Sequence, residues 1–362
     1  MMESILPTSH GAIPLPAFLP DATFGQVRGL DAQDLAACGV RAVMMNSYHL
    51  MQKPGTTVIS ALGGLHAFSG WQGPIFSDSG GFQAYSLIRQ SSSFGSFTDD
   101  GILLKDSRRG KKITLTPEKS IQIQWKMGAD VLFCLDDCTH VDDLENEQLL
   151  SVQRTVQWAK RCHQEFIKLR DQSKDDADRS RKLFAVVQGG GFRGLRKTCA
   201  ESLLEIGFDG YGYGGWPLDK DGNLVEDMVG YTRELIPNEF PMHALGIGHP
   251  YNLIKTFKLG YPLFDCAMPT RDARHTRLYR LRGNFDLGKQ DWLQYIYAQD
   301  EKHIRDEKPI DPTCPCHTCQ HYSLGYLHHL YQINENLYVR LASIHNLQFM
   351  ARIIDFLRGE QA

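Results

Sequence analysis

No apolar run in this 362-residue sequence reaches the ~18 residues that a membrane-spanning helix requires. The first twenty residues are broken by Pro7, Pro14, Pro16 and Pro20, and they lack the charged head and continuous apolar stretch of a secretory signal. An excess of either charge is also missing. With 39 basic and 42 acidic residues the net charge is −3, so any contact with nucleic acid must come from local patches. Hydrophobic residues make up 42% and charged residues 22%, which excludes a disordered or collagen-like chain. The expectation is a soluble cytoplasmic protein, with a length that fits two domains or one large α/β barrel carrying an insertion.

Cysteine is not scarce. Of nine, Cys38, Cys134, Cys138, Cys162, Cys199 and Cys266 are scattered, and three crowd into Cys314-Pro-Cys316-His-Thr-Cys319. In an intracellular chain such a cluster favours metal over disulfide. Four soft or borderline ligands with no open position suit a structural, tetrahedral zinc. The fourth ligand is open among His317, His321, His328, His329 and His345; the first two lie too close to fold back comfortably, and His345 falls in a helical-looking stretch from Leu337 to Arg358. Cys134 and Cys138 fall on a strand, where Cys134 reads as buried core.

Short β-rich runs alternate with amphipathic segments over the first three quarters of the chain. The strands expected are Pro16–Pro20, Arg41–Asn46, Pro74–Ser77, Asp130–Leu135, Leu183–Gln188, Gly210–Gly214, Met242–Gly246 and Pro262–Ala267. Helical candidates between them include Gly29–Cys38, Pro117–Met127, Glu145–Leu169, Gly194–Ile206, Leu224–Leu235 and Tyr251–Leu259. Pro117 at a first helical position and Gly128 just past the end follow the Pro-start, Gly-stop asymmetry. Apolar, non-alternating strands between helices imply parallel pairing with both faces covered, and eight units fit a (β/α)8 TIM barrel over residues 1–282. Three segments interrupt the pattern: Ser91–Thr116 reads as a β-hairpin insertion, Asp171–Lys182 as a solvated linker, and Gly283 onward as a C-terminal zinc-binding subdomain with helices, 283–362, packed on the barrel.

In such a barrel the reactive groups belong at the C-terminal ends of the strands. Those positions carry Asp78-Ser79-Gly80-Gly81-Phe82-Gln83, Asp136-Asp137, Gln188-Gly189-Gly190, Gly214-Gly215, Gly246-Ile247-Gly248 and Asp265. One Asp after a strand is commonly a helix cap, and glycines there often only make the turn. Carboxylates and an amide at several strand ends, flanked by glycines, describe a pocket that reads the edge of a flat heterocycle. Two carboxylates facing one glycosidic carbon suit retaining chemistry, and Asp78 and Asp265 come from non-adjacent strand ends.

Two basic stretches each carry a local +4: Arg271, Arg274, Arg277, Arg280 and Arg282 against Asp272, and Lys105, Arg108, Arg109, Lys111 and Lys112 against Asp106. Such stretches are commonly solvated faces, but the first follows Asp265 directly and includes Tyr279, which points to phosphate contact. Gly189-Gly-Gly191-Phe-Arg-Gly194, with Asp209 twenty residues after Gly189, matches the dinucleotide-binding fingerprint in outline. The match is lone and mid-chain, and no second matching βα unit follows Asp209, so the turn reading prevails.

Asp78-Ser-Gly-Gly-Phe-Gln83, Leu135-Asp-Asp-Cys-Thr139, Val187-Gln-Gly189, Phe264-Asp-Cys-Ala-Met-Pro-Thr-Arg271 and Cys-x-Cys-x2-Cys-x25-His ending at His345 together resemble the tRNA-guanine transglycosylases. Asn46-Ser-Tyr-His-Leu50 and Thr116-Pro-Glu-Lys-Ser120 add to a similarity that runs in order over nearly the whole chain. The resemblance implies a (β/α)8 barrel with a zinc-binding subdomain. It also implies exchange of guanine at the tRNA anticodon wobble position for a 7-deazaguanine, either a queuosine precursor or queuine. It makes Asp265 the nucleophile toward ribose C1′ and Asp78 the general acid/base. Phe82 becomes the aromatic stacked on the base, Ser79, Asp136, Gln188 and Gly215 its hydrogen-bonding partners, and Leu245 the apolar residue beneath it. Arg271 and Arg274 become tRNA contacts, and His345 becomes the fourth zinc ligand beside Cys314, Cys316 and Cys319. The partners implied are the tRNA anticodon loop, free guanine and 7-deazaguanine, and a second copy in a homodimer.

The chain departs from that pattern in two places. After Gly214-Gly215 the family continues with Leu-Ala or Leu-Ser and then Gly-Glu, whereas here Trp216-Pro217-Leu218-Asp219 follows. That segment lies against the 7-substituent, so Trp216 bears on which base is taken. The family's glycine after Arg274 is also replaced, by His275-Thr276. Competing readings are a non-catalytic tRNA-binding partner, which would need neither aspartate, and a paralogue that inserts deazapurines into DNA.

Overall fold

Each of the eight apolar runs becomes a strand of one parallel sheet: β1 (Ala17–Pro20), β2 (Val43–Met45), β3 (Ile75–Ser77), β4 (Val131–Phe133), β5 (Lys182–Val187), β6 (Gly210–Tyr213), β7 (Met242–Ala244) and β8 (Leu263–Cys266). The computed structural model describes residues 5–105, 112–286 and 288–359. The spatial order is β1-β8-β7-β6-β5-β4-β3-β2, so every strand lies beside its neighbours in sequence. The ring closes between β1 and β2 through the isolated bridge Asp21↔Met44 and the Ala22 N–H donated to Met44 O at 2.7 Å. A (β/α)8 barrel is therefore the architecture, as expected.

Side-chain direction along the strands separates two apolar layers. Phe184 and Val186 of β5 join Met44, Phe76, Val131, Phe133 and Leu263 inside the barrel. Leu183, Ala185 and Val187, one residue out of phase, pack outward with the surrounding helices. An N-terminal hairpin, Ile5–Thr8 against Gly11–Pro14, adds Leu6 and Ile13 to the inner layer. It sits at the strands' entry end, where Asp130, just before β4, accepts from Ser9 Oγ at 2.7 Å, His10 Nδ1 at 2.7 Å and Ile75 N at 2.8 Å. The four prolines of this region hid the hairpin from the sequence pattern.

Helix Pro117–Met127 starts and stops as expected, with Thr116 Oγ1 accepting the Lys119 N–H and Gly128 at φ +87°. Helix Glu145–Gln172 runs past Leu169, and Asp176–Arg179 adds a further turn, so helix takes up much of the expected linker. The insertion is a three-stranded antiparallel sheet, Gly95–Thr98, Gly101–Lys105 and Lys112–Leu115, rather than a two-stranded hairpin. Residues Arg108, Arg109 and Lys111 of the second basic stretch lie outside the described residues. Among the described residues no helix is long and apolar enough to cross a membrane.

After β8 the chain forms helix Met268–Arg274 and a hairpin, Arg277–Leu281 with Leu293–Tyr297, that straddles residue 282. Helices His317–His321, Leu324–Gln332 and Asn336–Leu357 follow. Asn346, in the last of these, donates to Pro269 O and Arg277 O and accepts from Tyr279 N, which ties that helix to the segment following β8.

Candidate active site

The exit ends of the strands surround a cavity of about 380 Å³. Asp78 enters it from the end of β3 and Asp265 from β8, so the two carboxylates singled out in the sequence share one space. Asp78 is held on both oxygens: Oδ1 accepts from Ser47 N at 2.9 Å and Ser47 Oγ at 3.2 Å, and Oδ2 from Asn46 Nδ2 at 2.7 Å. Burial pushes its carboxyl up to about 7, against the lowering effect of these donors, and the nearby Asp21 carboxylate adds to the rise. Among the described residues Asp265 is held on one oxygen only, with Oδ1 accepting from His243 Nε2 at 2.8 Å and Gly246 N at 3.2 Å.

Ser79, Phe82, Asp136, Gly215, Trp216 and Leu245 line the same cavity, whereas Gln188 does not line it and stands behind Asp136. Asp136 accepts from Gln188 Nε2 at 2.7 Å through Oδ2, while Ser79 Oγ stands 3.5 Å from Oδ1. Burial pushes its carboxyl up to about 6 despite the Gln188 amide. Gln188 is fully buried, and its Oε1 has no partner in the protein. Glycine is required beside it: a Cβ at Gly214 would lie 2.7 Å from the Gln188 amide, and Gly215 has φ +84° with a Cβ position 3.2 Å from Thr139 O. Leu245 packs against Gly212 on the cavity floor.

Phe82 and Trp216 stand at the mouth, both well exposed, with ring centroids 6.0 Å apart and planes within 10°. Trp216, where the resemblance breaks, thus adds a second aromatic face beside the expected one. Its loop is closed by the Leu218↔Leu224 bridge and by Val225 N donating to Pro217 O at 3.0 Å. Sequence reasoning missed Asp21, which lines the cavity, and the buried His243; a lone polar residue in an apolar strand carries no motif. Burial raises the Asp21 carboxyl, and the charge of Asp265 adds to it.

The first basic stretch divides. Arg271 and Arg274 lie on the helix that follows β8, and Arg274 feels the charges of Arg28, Asp21 and Arg271. Arg277 instead pairs with Asp272 at 3.6 Å and covers the Tyr295 ring, and Arg280 donates to Ile310 O. Those two therefore already have partners within the protein. The dinucleotide outline fails on geometry. Asp209 accepts from Leu183 N at 2.8 Å at the entry end of β5, away from the cavity. The glycine turn is filled by the buried Arg196, which donates to the carbonyls of Val187, Gly190 and Gly214.

Cys314, Cys316, Cys319 and His345 bring one donor atom each to within 4.8 Å of one another, all four residues buried. His345 Nδ1 lies 3.6 Å from Cys316 Sγ and 3.2 Å from Cys319 Sγ, while its Nε2 donates to Tyr279 O at 2.5 Å. That outer hydrogen bond puts the ring proton on Nε2 and turns the Nδ1 lone pair toward the thiols, the arrangement a metal-bound imidazole needs. The donor set thus fits a metal ion. Among the other histidine candidates, His328 is taken by Ala298 O, and His317 packs against His321. A second cluster, His10, His66 and Asp130, lies at the barrel's entry end. There His66 Nε2 faces the acceptors Gly73 O and Asp130 Oδ2, so it serves as a donor rather than a ligand.

A family model described as Queuine tRNA-ribosyltransferase matches residues 4–360. Among curated relatives, the queuine tRNA-ribosyltransferase of Pseudoalteromonas atlantica is 37% identical over 352 residues, covering 96% of this chain and 88% of the relative. That of Aliivibrio fischeri strain ES114 is 36% identical over 349 residues, covering 96% and 87%. The protein of the same name from Solidesulfovibrio magneticus is 36% identical over 359 residues, covering 99% and 89%. Agreement of this extent, over a barrel whose cavity holds the motif residues, means that the chain belongs to the queuine tRNA-ribosyltransferase family.

Proposed function

We propose that this protein exchanges guanine in the anticodon loop of tRNA for a 7-deazaguanine by double displacement on one ribose carbon. The observation that carries the reading is that Asp78 and Asp265 project from separate strand ends into one cavity, in contrasting settings. Asp265 has its Oδ1 engaged and its Oδ2 unengaged, as an attacking oxygen requires. Asp78, with its carboxyl pushed up to about 7, holds a proton to give near neutrality.

In the first half, Asp265 Oδ2 bonds to C1′, the bond from C1′ to the base nitrogen breaks, and Asp78 supplies the proton that the departing guanine takes up. In the second half, the incoming base attacks C1′, the ester bond breaks, and the incoming base's proton passes to Asp78. Asp136 reads the donors on the guanine edge, the free Gln188 Oε1 and Ser79 complete the polar rim, and Phe82 supplies a π-face worth about 1–3 kcal/mol. Trp216, next along the chain after Gly215, borders the 7-substituent. Arg271 and Arg274 serve the phosphates of the loop, which must be single-stranded for the base to enter. A zinc ion held by Cys314, Cys316, Cys319 and His345 would be structural, since all four positions are filled by protein.

Incubation with labelled guanine and tRNA tests the proposal. Label should enter tRNA, enter DNA of the same sequence poorly at equal salt, and fail to enter with Asp265→Ala. Incorporation at the wild-type rate by that variant would remove Asp265 from its role.

A further inference from the structure

Behind the nucleophile lies a side chain with an unusual set of neighbours. His243, on β7, is fully buried inside the barrel, with Phe76 and Phe133 edge-on to its ring at centroid distances of 5.8 and 5.6 Å. Its Nε2 lies 2.8 Å from Asp265 Oδ1, and its Nδ1 is buried with no hydrogen-bond partner among the described residues. A proton on Nδ1 would have no acceptor, whereas one on Nε2 is satisfied by the carboxylate, so the ring proton sits on Nε2. Because β7 and β8 are adjacent, with His243 paired to Leu263 and Ala244 to Phe264, backbone register fixes how the two side chains meet.

We propose that His243 is the positioning residue of the Asp265 nucleophile, an inference that rests on the base-exchange reading. With the Gly246 N–H, its Nε2–H pins Oδ1 and so fixes the rotation of the carboxylate, leaving Oδ2 as the oxygen presented to C1′. When Oδ2 bonds to C1′ and the base leaves with the glycosidic electron pair, the carbon–oxygen double bond localises on Oδ1, which both donors still hold. When the incoming base breaks the ester, negative charge returns to the carboxylate and the same two donors receive it, easing its departure.

The test compares His243→Gln, whose amide nitrogen reaches the place of Nε2, with His243→Asn, which is too short, and His243→Phe, which fills the space without a donor. Each is assayed for steady-state guanine exchange and for the covalent protein–RNA adduct trapped by denaturation in single turnover. The Phe and Asn variants should lose about ten- to a hundredfold in kcat and in the rate of adduct formation, with KM for tRNA unchanged, and Gln should recover at least about tenfold of that loss. Should Phe fail to fold, the Gln and Asn pair carries the same contrast. Adduct formation at the wild-type rate in the Phe or Asn variant, or equal losses in Gln and Asn, would overturn the assignment while leaving base exchange intact. A wild-type protein that exchanges no base and forms no adduct would overturn the functional reading, and this one with it.

Discussion

Asp78 and Asp136 place a charge burden on the folded protein that depends on pH. Both carboxyls sit above their ordinary range because burial disfavours their ionised forms, Asp78 to about 7 and Asp136 to about 6. Well below the ordinary carboxylate range both are protonated folded or unfolded, and they impose no penalty. As pH rises from 4 toward 7, the unfolded chain loses these protons while the folded one keeps them, so stability falls across that window. Asp78→Asn removes one of the two groups. Relative to wild type, its melting temperature should climb as pH is raised from 5 to 8, even though Asn pairs less well with the Asn46 and Ser47 donors. Its base exchange should fall by about a hundredfold or more, the loss of a proton-transfer group. A difference in melting temperature that does not change with pH would show that Asp78 does not titrate there. These two residues were legible because a carboxylate after an apolar strand marks a barrel mouth. Thr276 was legible only as part of the departure at His275-Thr276, and it adopts φ +67°, a backbone region that β-branched residues rarely occupy.

At the scale of elements, the glycine turn after β5 shows what local pattern alone can mislead about. Spacing suggested a phosphate cradle, but the helix that follows, Arg193–Ile206, turns Arg196 back into the turn. There its guanidinium lies 4.2 Å from the Tyr213 ring centroid and bonds carbonyls from two successive strand ends. This clamp ties the end of β5 to the end of β6, beside Gln188. Arg196→Met would strand three buried carbonyls. It should lower unfolding free energy by at least about 3 kcal/mol in urea titrations and raise KM for the free base more than it lowers kcat. A variant as stable as wild type would mean that water replaces the guanidinium. Strand and helix positions were readable because apolar runs and capping residues are local signals. The three-stranded insertion and the N-terminal hairpin were not, because their pairing partners are chosen by tertiary contact. His243 was hidden for a related reason, since only strand register decides whether it faces the barrel interior or the helices.

Over the whole molecule, the cysteine cluster reaches the active site through the last helix. His345 and Asn346 are adjacent on it; one joins the thiols, and the other fastens the segment that follows the strand bearing Asp265. Removing the metal by chelation should lower the melting temperature by at least about 5 °C and reduce exchange in parallel, and Cys319→Ser should be equally destabilised but no longer respond to chelator. A chelated protein with unchanged melting behaviour would count against a metal there. The barrel also has an uneven rim. Seven of its junctions are laddered, but β1 and β2 meet at one bridge, and that bridge is made by Asp21, a wall of the cavity. Hydrogen exchange should therefore reach the Ala22 amide, the one backbone donor across this seam into Met44 O, sooner than the amides of the seven ladders.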